Sequence, residues 1–151
     1  MLLRACCCAV VALLLSEGAG TAQPTTSQAM IAEVVRNGSV IVRDIEFSSG
    51  DATPSVQSEA ALRQVRSMLL EHDEWTFEVQ VHTNETGERH RDQALSDARA
   101  RAVVRWLTRN GIGASRLVAR GYGSSKLSAG SGAGTDGLAH NRVELRKLNE
   151  E

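Results

Sequence analysis

Arg99, like any arginine, can hold an ionic ligand, because a guanidinium grips a carboxylate through a planar fork where lysine offers only a point charge. It stands in Leu95-Ser96-x-x-Arg99-Ala100. Upstream lies Val81-His82-Thr83-Asn84-x-x-Gly87, with Glu85 beside the turn and Asp92 just after it. Other chemistries find less support. Histidines 72, 82, 90 and 140 never pair at the short spacing that puts two ligands on one helix face, so no metal is expected. Ser96 lies between Asp92 and Arg99, but Ser and Asp near a helix start are ordinary capping residues, and no G-x-S-x-G elbow occurs. A carboxylate pair of the glycosidase kind can come from distant positions, yet nothing singles one out. Binding, without catalysis or a cofactor, is the expectation.

Those residues need elements to hold them. Val40, Val42, Ile45 and Phe47 alternate as in a half-buried strand until Ser48-Ser49-Gly50-Asp51 breaks the pattern. A helix follows from Ser55, with Ala61, Val65, Met68 and Leu69 on its apolar face. Trp75 to Val81 is the clearest strand, with Trp75, Phe77, Val79 and Val81 on one side. The polar loop over 83–91 has Gly87 as the residue free to take a positive φ. A second helix is expected over about 93–110, carrying Ala100, Val103, Val104 and Leu107 inward. Arg99, one turn in, should then point back toward the loop. Arg101, Arg105 and Arg109 share another face, which reads as solvated. Strands over 116–122 and 142–148 close the chain. The order is βαβαββ, an α+β two-layer sandwich with a mixed sheet and helices on one face.

Gly132-Ala133-Gly134-Thr135-Asp136-Gly137 matches the G-x-G-x-x-G string, but a strand rather than a helix follows it, so a surface loop is expected there instead of a nucleotide site. At the other end, Arg4 and the apolar run Ala5 to Leu15 resemble an export signal, too short for the roughly 20 residues of a membrane span. Gly20-Thr21-Ala22 offers a cleavage site. Residues 1–22 are therefore expected to be a signal peptide, 23–38 a linker or short N-terminal element, and 39–149 the domain. All three cysteines fall inside the signal, at the start of its apolar run. That leaves no thiol for disulfides or metal in the mature chain, and no cysteine where lipidation needs one. Losing Arg4 and Glu17 keeps the net charge at −1, which gives no general electrostatic case for nucleic acid or anionic membrane.

The motifs resemble the signature of the OmpA C-terminal, or OmpA/MotB/Pal, family of peptidoglycan-associated domains. That pattern runs G-H-T-D-x-x-G, then an Asn, then L-S-x-x-R-A and an apolar helix. Gly111-Ile112, Arg116-Leu117, Gly121-Tyr122-Gly123 and Asn141-Arg142-Val143-Glu144-Leu145 continue it in family order, so the resemblance covers about residues 40–148. It implies a groove that grips the diaminopimelate of the peptidoglycan stem peptide, through the T-D acid and the Arg. The site would take in His82, Thr83, Asn84, Gly87, Asp92, Leu95, Ser96, Arg99, Asn141 and Arg142. It also implies a periplasmic place in a Gram-negative envelope, in association with the outer membrane, with peptidoglycan and an envelope protein as partners.

The chain departs from the pattern at four points. Asn84 replaces the T-D aspartate, Asp92 replaces the Asn, a single Arg142 stands where two arginines are usual, and Leu127 stands where a Pro is usual. Asn84 would exchange a charge-assisted hydrogen bond of about 1.5–3 kcal/mol for a neutral one of about 0.5–1.5. Asp92 is expected to restore the missing carboxylate from the opposite rim, with Glu85 as a second source. The alternative is a periplasmic interaction or scaffold protein that keeps the fold with a degenerate site. The two differ in that a working site needs Arg99 exposed in a groove beside a carboxylate.

Overall fold

The computed structural model describes residues 26–125 and 141–148. The expected signal peptide, the Gly-rich loop, Leu127 and His140 lie outside the described residues. Helix α1 (Ser27–Asn37) comes first, started by Thr26, whose hydroxyl accepts from the amide of Ala29 at 3.3 Å. Met30 and Val34 on its inner face are buried in the core. The stretch 23–38, expected as a linker or short N-terminal element, thus carries a helix whose inner face packs in the core.

Strand β1 (Ser39–Val42) is followed by helix α2 (Glu59–Glu71), strand β2 (Thr76–His82), helix α3 (Arg89–Arg109), and strands β3 (Leu117–Gly123) and β4 (Arg142–Leu148). Short 3₁₀ turns lead into α2 and β3. The sheet order is β1-β4-β2-β3. Strand β4 lies antiparallel to both its neighbours, and β2 runs parallel to β3. The α+β architecture with a mixed sheet is the one expected, with α1 added in front. Phe77, Val79 and Val81 of β2 meet Val143 and Leu145 of β4 and the apolar faces of the helices in one core. Thr76, Glu78, Gln80 and His82 point to the other face, following the two-residue period.

Two boundaries differ from expectation. Strand β1 stops at Val42; Ile45 is buried outside it, and Phe47 pairs only with Pro54, in an isolated bridge. Arg43 and Asp44 are exposed and turn the chain away from the sheet. Helix α3 starts at Arg89, not near Gln93. Arg89, His90 and Arg91 are all exposed, so no apolar period marks that first turn in the sequence.

Strand β3 lies unusually close to the first half of α3. A Cβ on Gly121 would collide with the backbone nitrogen of Asp97 and with Oγ of Ser96. The contact is stitched by polar groups: the Gly121 amide donates to Asp97 Oδ1 at 2.7 Å, and Gln93 Nε2 donates to the Gly121 carbonyl at 2.7 Å. The Gly123 amide donates to Ser96 Oγ at 2.9 Å. This stitching fixes the turn of α3 from which Arg99 projects.

Candidate functional site

Arg99 lies where four separate segments meet, and its side chain is fully buried. Nε donates to the carbonyl of Asp51 at 2.8 Å, and Nη2 to the carbonyl of Ser48 at 3.1 Å. Nη1 donates to Thr83 Oγ1 at 3.1 Å and pairs with Glu85 Oε1 at 2.7 Å. The guanidinium also lies over the Phe47 ring, 4.7 Å from its centroid, a cation–π contact. Four of its five N–H groups are therefore committed.

Glu85 is the carboxylate of this cluster. Its Oε1 also accepts from Asn141 Nδ2 at 2.9 Å, and its Oε2 accepts from the Gly50 amide at 3.0 Å. Gly50 sits at φ 71°, a left-handed conformation that glycine adopts without steric cost. Thr83 closes the ring: its hydroxyl accepts from Arg99 and donates to Asn141 Oδ1 at 2.5 Å. Burial pushes the Glu85 carboxyl up, but the hydrogen bonds from Arg99 and Gly50, the Arg99 charge and Asn141 together hold it below the ordinary glutamate value. Nearby, hydrogen bonds led by the Thr53 amide lower the exposed Asp51 carboxyl.

Arg99 points toward the loop, as its place in the helix suggested, and Thr83 and Asn141 join it. The exposure that separates an open binding site from the scaffold alternative is absent at Arg99. Its donors hold the Ser48–Asp51 turn against it, and its side chain has no exposed surface. Asp92 does not stand on the opposite rim either. It is fully buried in the first turn of α3, where Oδ1 accepts from the Thr86 amide at 3.0 Å and the Thr86 hydroxyl at 2.9 Å. Its other oxygen accepts no hydrogen bond among the described residues. Asn84 is exposed, and Gly87 takes the positive φ foreseen, 71°.

Ser96 is buried and committed to the β3 stitching, also donating to the Gln93 carbonyl at 2.9 Å, so it has no free face toward a ligand. Leu95 is half-buried and lies outside the hydrogen-bonded ring. His82 is buried with its ring stacked on Tyr122, 5.4 Å between centroids. Arg142 pairs with His82 across the β2–β4 ladder. The sequence reading missed Phe47 and the backbone of Ser48, Gly50 and Asp51. The only signal there was the Ser-Ser-Gly-Asp break, which marks a turn without saying what it covers. Arg101, Arg105 and Arg109 are exposed, as expected of a solvated face.

A shallow groove elsewhere runs between the start of α2 and the second half of α3, lined by Pro54, Val56, Leu62, Ala102 and Trp106 among others. It shares no residue with the Arg99 cluster. Among the described residues no group of three or more His, Cys, Asp or Glu side chains converges as a metal site, and no helix is long and apolar enough to cross a membrane.

A family model described as the OmpA family matches residues 46–141. Outer membrane protein A of Shigella flexneri is 33% identical over 116 residues, which cover 76% of this chain and 33% of that protein. The chain thus spans about a third of that relative's length. Among solved structures, the peptidoglycan-associated lipoprotein from Burkholderia pseudomallei superposes with a TM-score of 0.59 at 24% identity, over 76% of this chain and 92% of that one. The cell wall anchor of the T6SS from Pseudomonas aeruginosa does so with a TM-score of 0.56 at 20% identity, over 84% and 99%. At those identities the likeness is one of fold.

Proposed function

The chain belongs to the OmpA family, and from that premise we propose that it binds peptidoglycan non-covalently in the periplasm, through a stem-peptide diaminopimelate, as a cell-envelope tether. Two proteins that share its fold are named for the cell envelope, one as a peptidoglycan-associated lipoprotein and one as a cell wall anchor. The observation that carries the reading is the Arg99 cluster. An arginine, a backbone amide and an asparagine amide converge on one carboxylate, here supplied by Glu85. The same donors suit the carboxylate of a diaminopimelate. The role is binding rather than catalysis, since the Ser96 hydroxyl already serves Gly123 and Gln93. In this reading residues 1–22 are a cleaved export signal, and the domain is the unit that starts at α1.

The second reading is an OmpA-fold interaction or scaffold protein with a closed site. The complete burial of Arg99 favours it. Co-sedimentation of the purified chain with protein-stripped sacculi separates the two. The wild type is expected to pellet and to be released by free meso-diaminopimelate. Arg99→Lys, which keeps the charge and loses the fork, is expected to bind at least about tenfold more weakly. No pelleting at concentrations on the order of tens of micromolar would transfer the argument to the scaffold reading.

A further inference from the structure

We infer that Glu85 is a tethered competitor: its carboxylate fills a receptor built by Arg99, the Gly50 amide and Asn141, and an external carboxylate binds there only when Glu85 leaves. For the identity of the natural displacing group, a stem-peptide carboxylate, this rests on the peptidoglycan reading above. The receptor itself does not.

The two sides of the contact are anchored unequally. Arg99 is aimed by the carbonyls of Ser48 and Asp51, by Thr83 and by the Phe47 ring. Glu85 touches this turn only at the Gly50 amide, and the turn has its own closure in the Asp51 amide donating to the Ser48 carbonyl at 2.9 Å. Asn141 is held by Thr83 as well. The donors therefore remain in place if the carboxylate is withdrawn. Glu85, by contrast, is attached at the site through its carboxylate oxygens alone. Its neighbours Asn84, Thr86, Gly87 and Glu88 are all exposed, and the tie of this loop to the body, Thr86 to Asp92, does not involve the Glu85 side chain. A pre-aimed set of donors around an acceptor on an exposed loop is the geometry of a binding site with an internal occupant. With Glu85 seated, Arg99 has too few N–H groups left for a second bidentate carboxylate. A ligand of carboxylate chemistry must exchange with Glu85, and its apparent affinity is reduced by the fraction of molecules in which the site is closed.

The test uses the full chain, Glu85→Ala and Glu85→Gln, and acetate as the probe. Removing the internal carboxylate leaves Arg99 buried without its ionic partner, so Glu85→Ala is expected to melt at a lower temperature. Added acetate should raise its Tm, while chloride at equal ionic strength should not, and the wild type should respond to neither. Glu85→Gln keeps the shape and one acceptor oxygen, so it reports the same trend where the alanine variant does not fold. Both variants should bind sacculi more tightly than wild type, Glu85→Ala by about tenfold or more. Acetate acting equally on all three proteins, or on none, would reduce the pair to a tie between loops and overturn the inference. So would loss of sacculus binding by both variants while wild type still pellets, because Glu85 would then be a ligand contact. If acetate rescues the variants selectively but no protein pellets, the receptor stands and the peptidoglycan reading falls.

Discussion

Two carboxylates of the same loop, Glu85 and Asp92, serve different partners, and the difference can be measured. Glu85 is paired with a buried cation, and its carboxyl is held below the ordinary glutamate value. A depressed folded pKa contributes stability that is fully present above the unfolded value of about 4.3 and lost as pH falls through the folded value. Thermal unfolding of the wild type should therefore weaken below about pH 4.3 more steeply than that of Glu85→Gln, which has no such proton to gain. Equal slopes would mean that the other acidic side chains alone set the acid limit. Asp92 accepts both the amide and the hydroxyl of Thr86 and so closes the loop before α3. Asp92→Ala deletes the oxygen that accepts both bonds and is expected to cost about 1–3 kcal/mol in urea unfolding. Sacculus affinity, compared among folded molecules, should change little. A large loss of affinity with stability intact would restore the idea of Asp92 as a ligand group in place of the family aspartate.

The elements show which parts of this arrangement a sequence can announce. Periodicity located β2, the apolar faces of α2 and α3, and the last two strands, because those segments bury one side and expose the other over several turns or residues. It did not place the start of α3, where Arg89, His90 and Arg91 have no buried side. Nor did it settle α1, which contributes only Met30 and Val34 as fully buried side chains. The Arg-Thr-Asn part of the site was legible as motif spacing. The covering turn was not, because Ser48 and Asp51 meet Arg99 through their carbonyls and Gly50 meets Glu85 through its amide, which any residue could supply. Motif membership also concealed two kinds of role. Gly121 and Ser96 are signature positions that join β3 to α3. Gly121→Ala would force a Cβ against the backbone of α3, and overpacking of that kind costs about 1–3 kcal/mol. Chemical denaturation should register that loss. An unchanged midpoint would mean that the strand can move away from the helix without penalty.

At the scale of the whole molecule, charge and topology predict how any binding should respond to salt. With a net charge of −1, the chain has no general field to attract an anionic polymer. Its exposed cations nevertheless include Arg101, Arg105 and Arg109 along α3, a stripe that could adhere non-specifically. The proposed site is of another kind: Arg99 is buried and bonded to the β1–α2 connection and the loop after β2, and its partner Glu85 is bonded to the residue before β4. Raising ionic strength from about 0.1 M to about 1 M shortens the Debye length from about 10 Å to about 3 Å, which suppresses attraction between exposed charges but acts much less on buried pairs. Sacculus affinity is therefore expected to fall by less than about tenfold over that range. Replacing Arg101, Arg105 and Arg109 together should leave it nearly unchanged. A collapse of binding in high salt, matched by the loss of those three arginines, would relocate the interaction to the helix surface. The Arg99 cluster would then be left with a purely structural task, holding three distant segments of the chain at one end of the sheet.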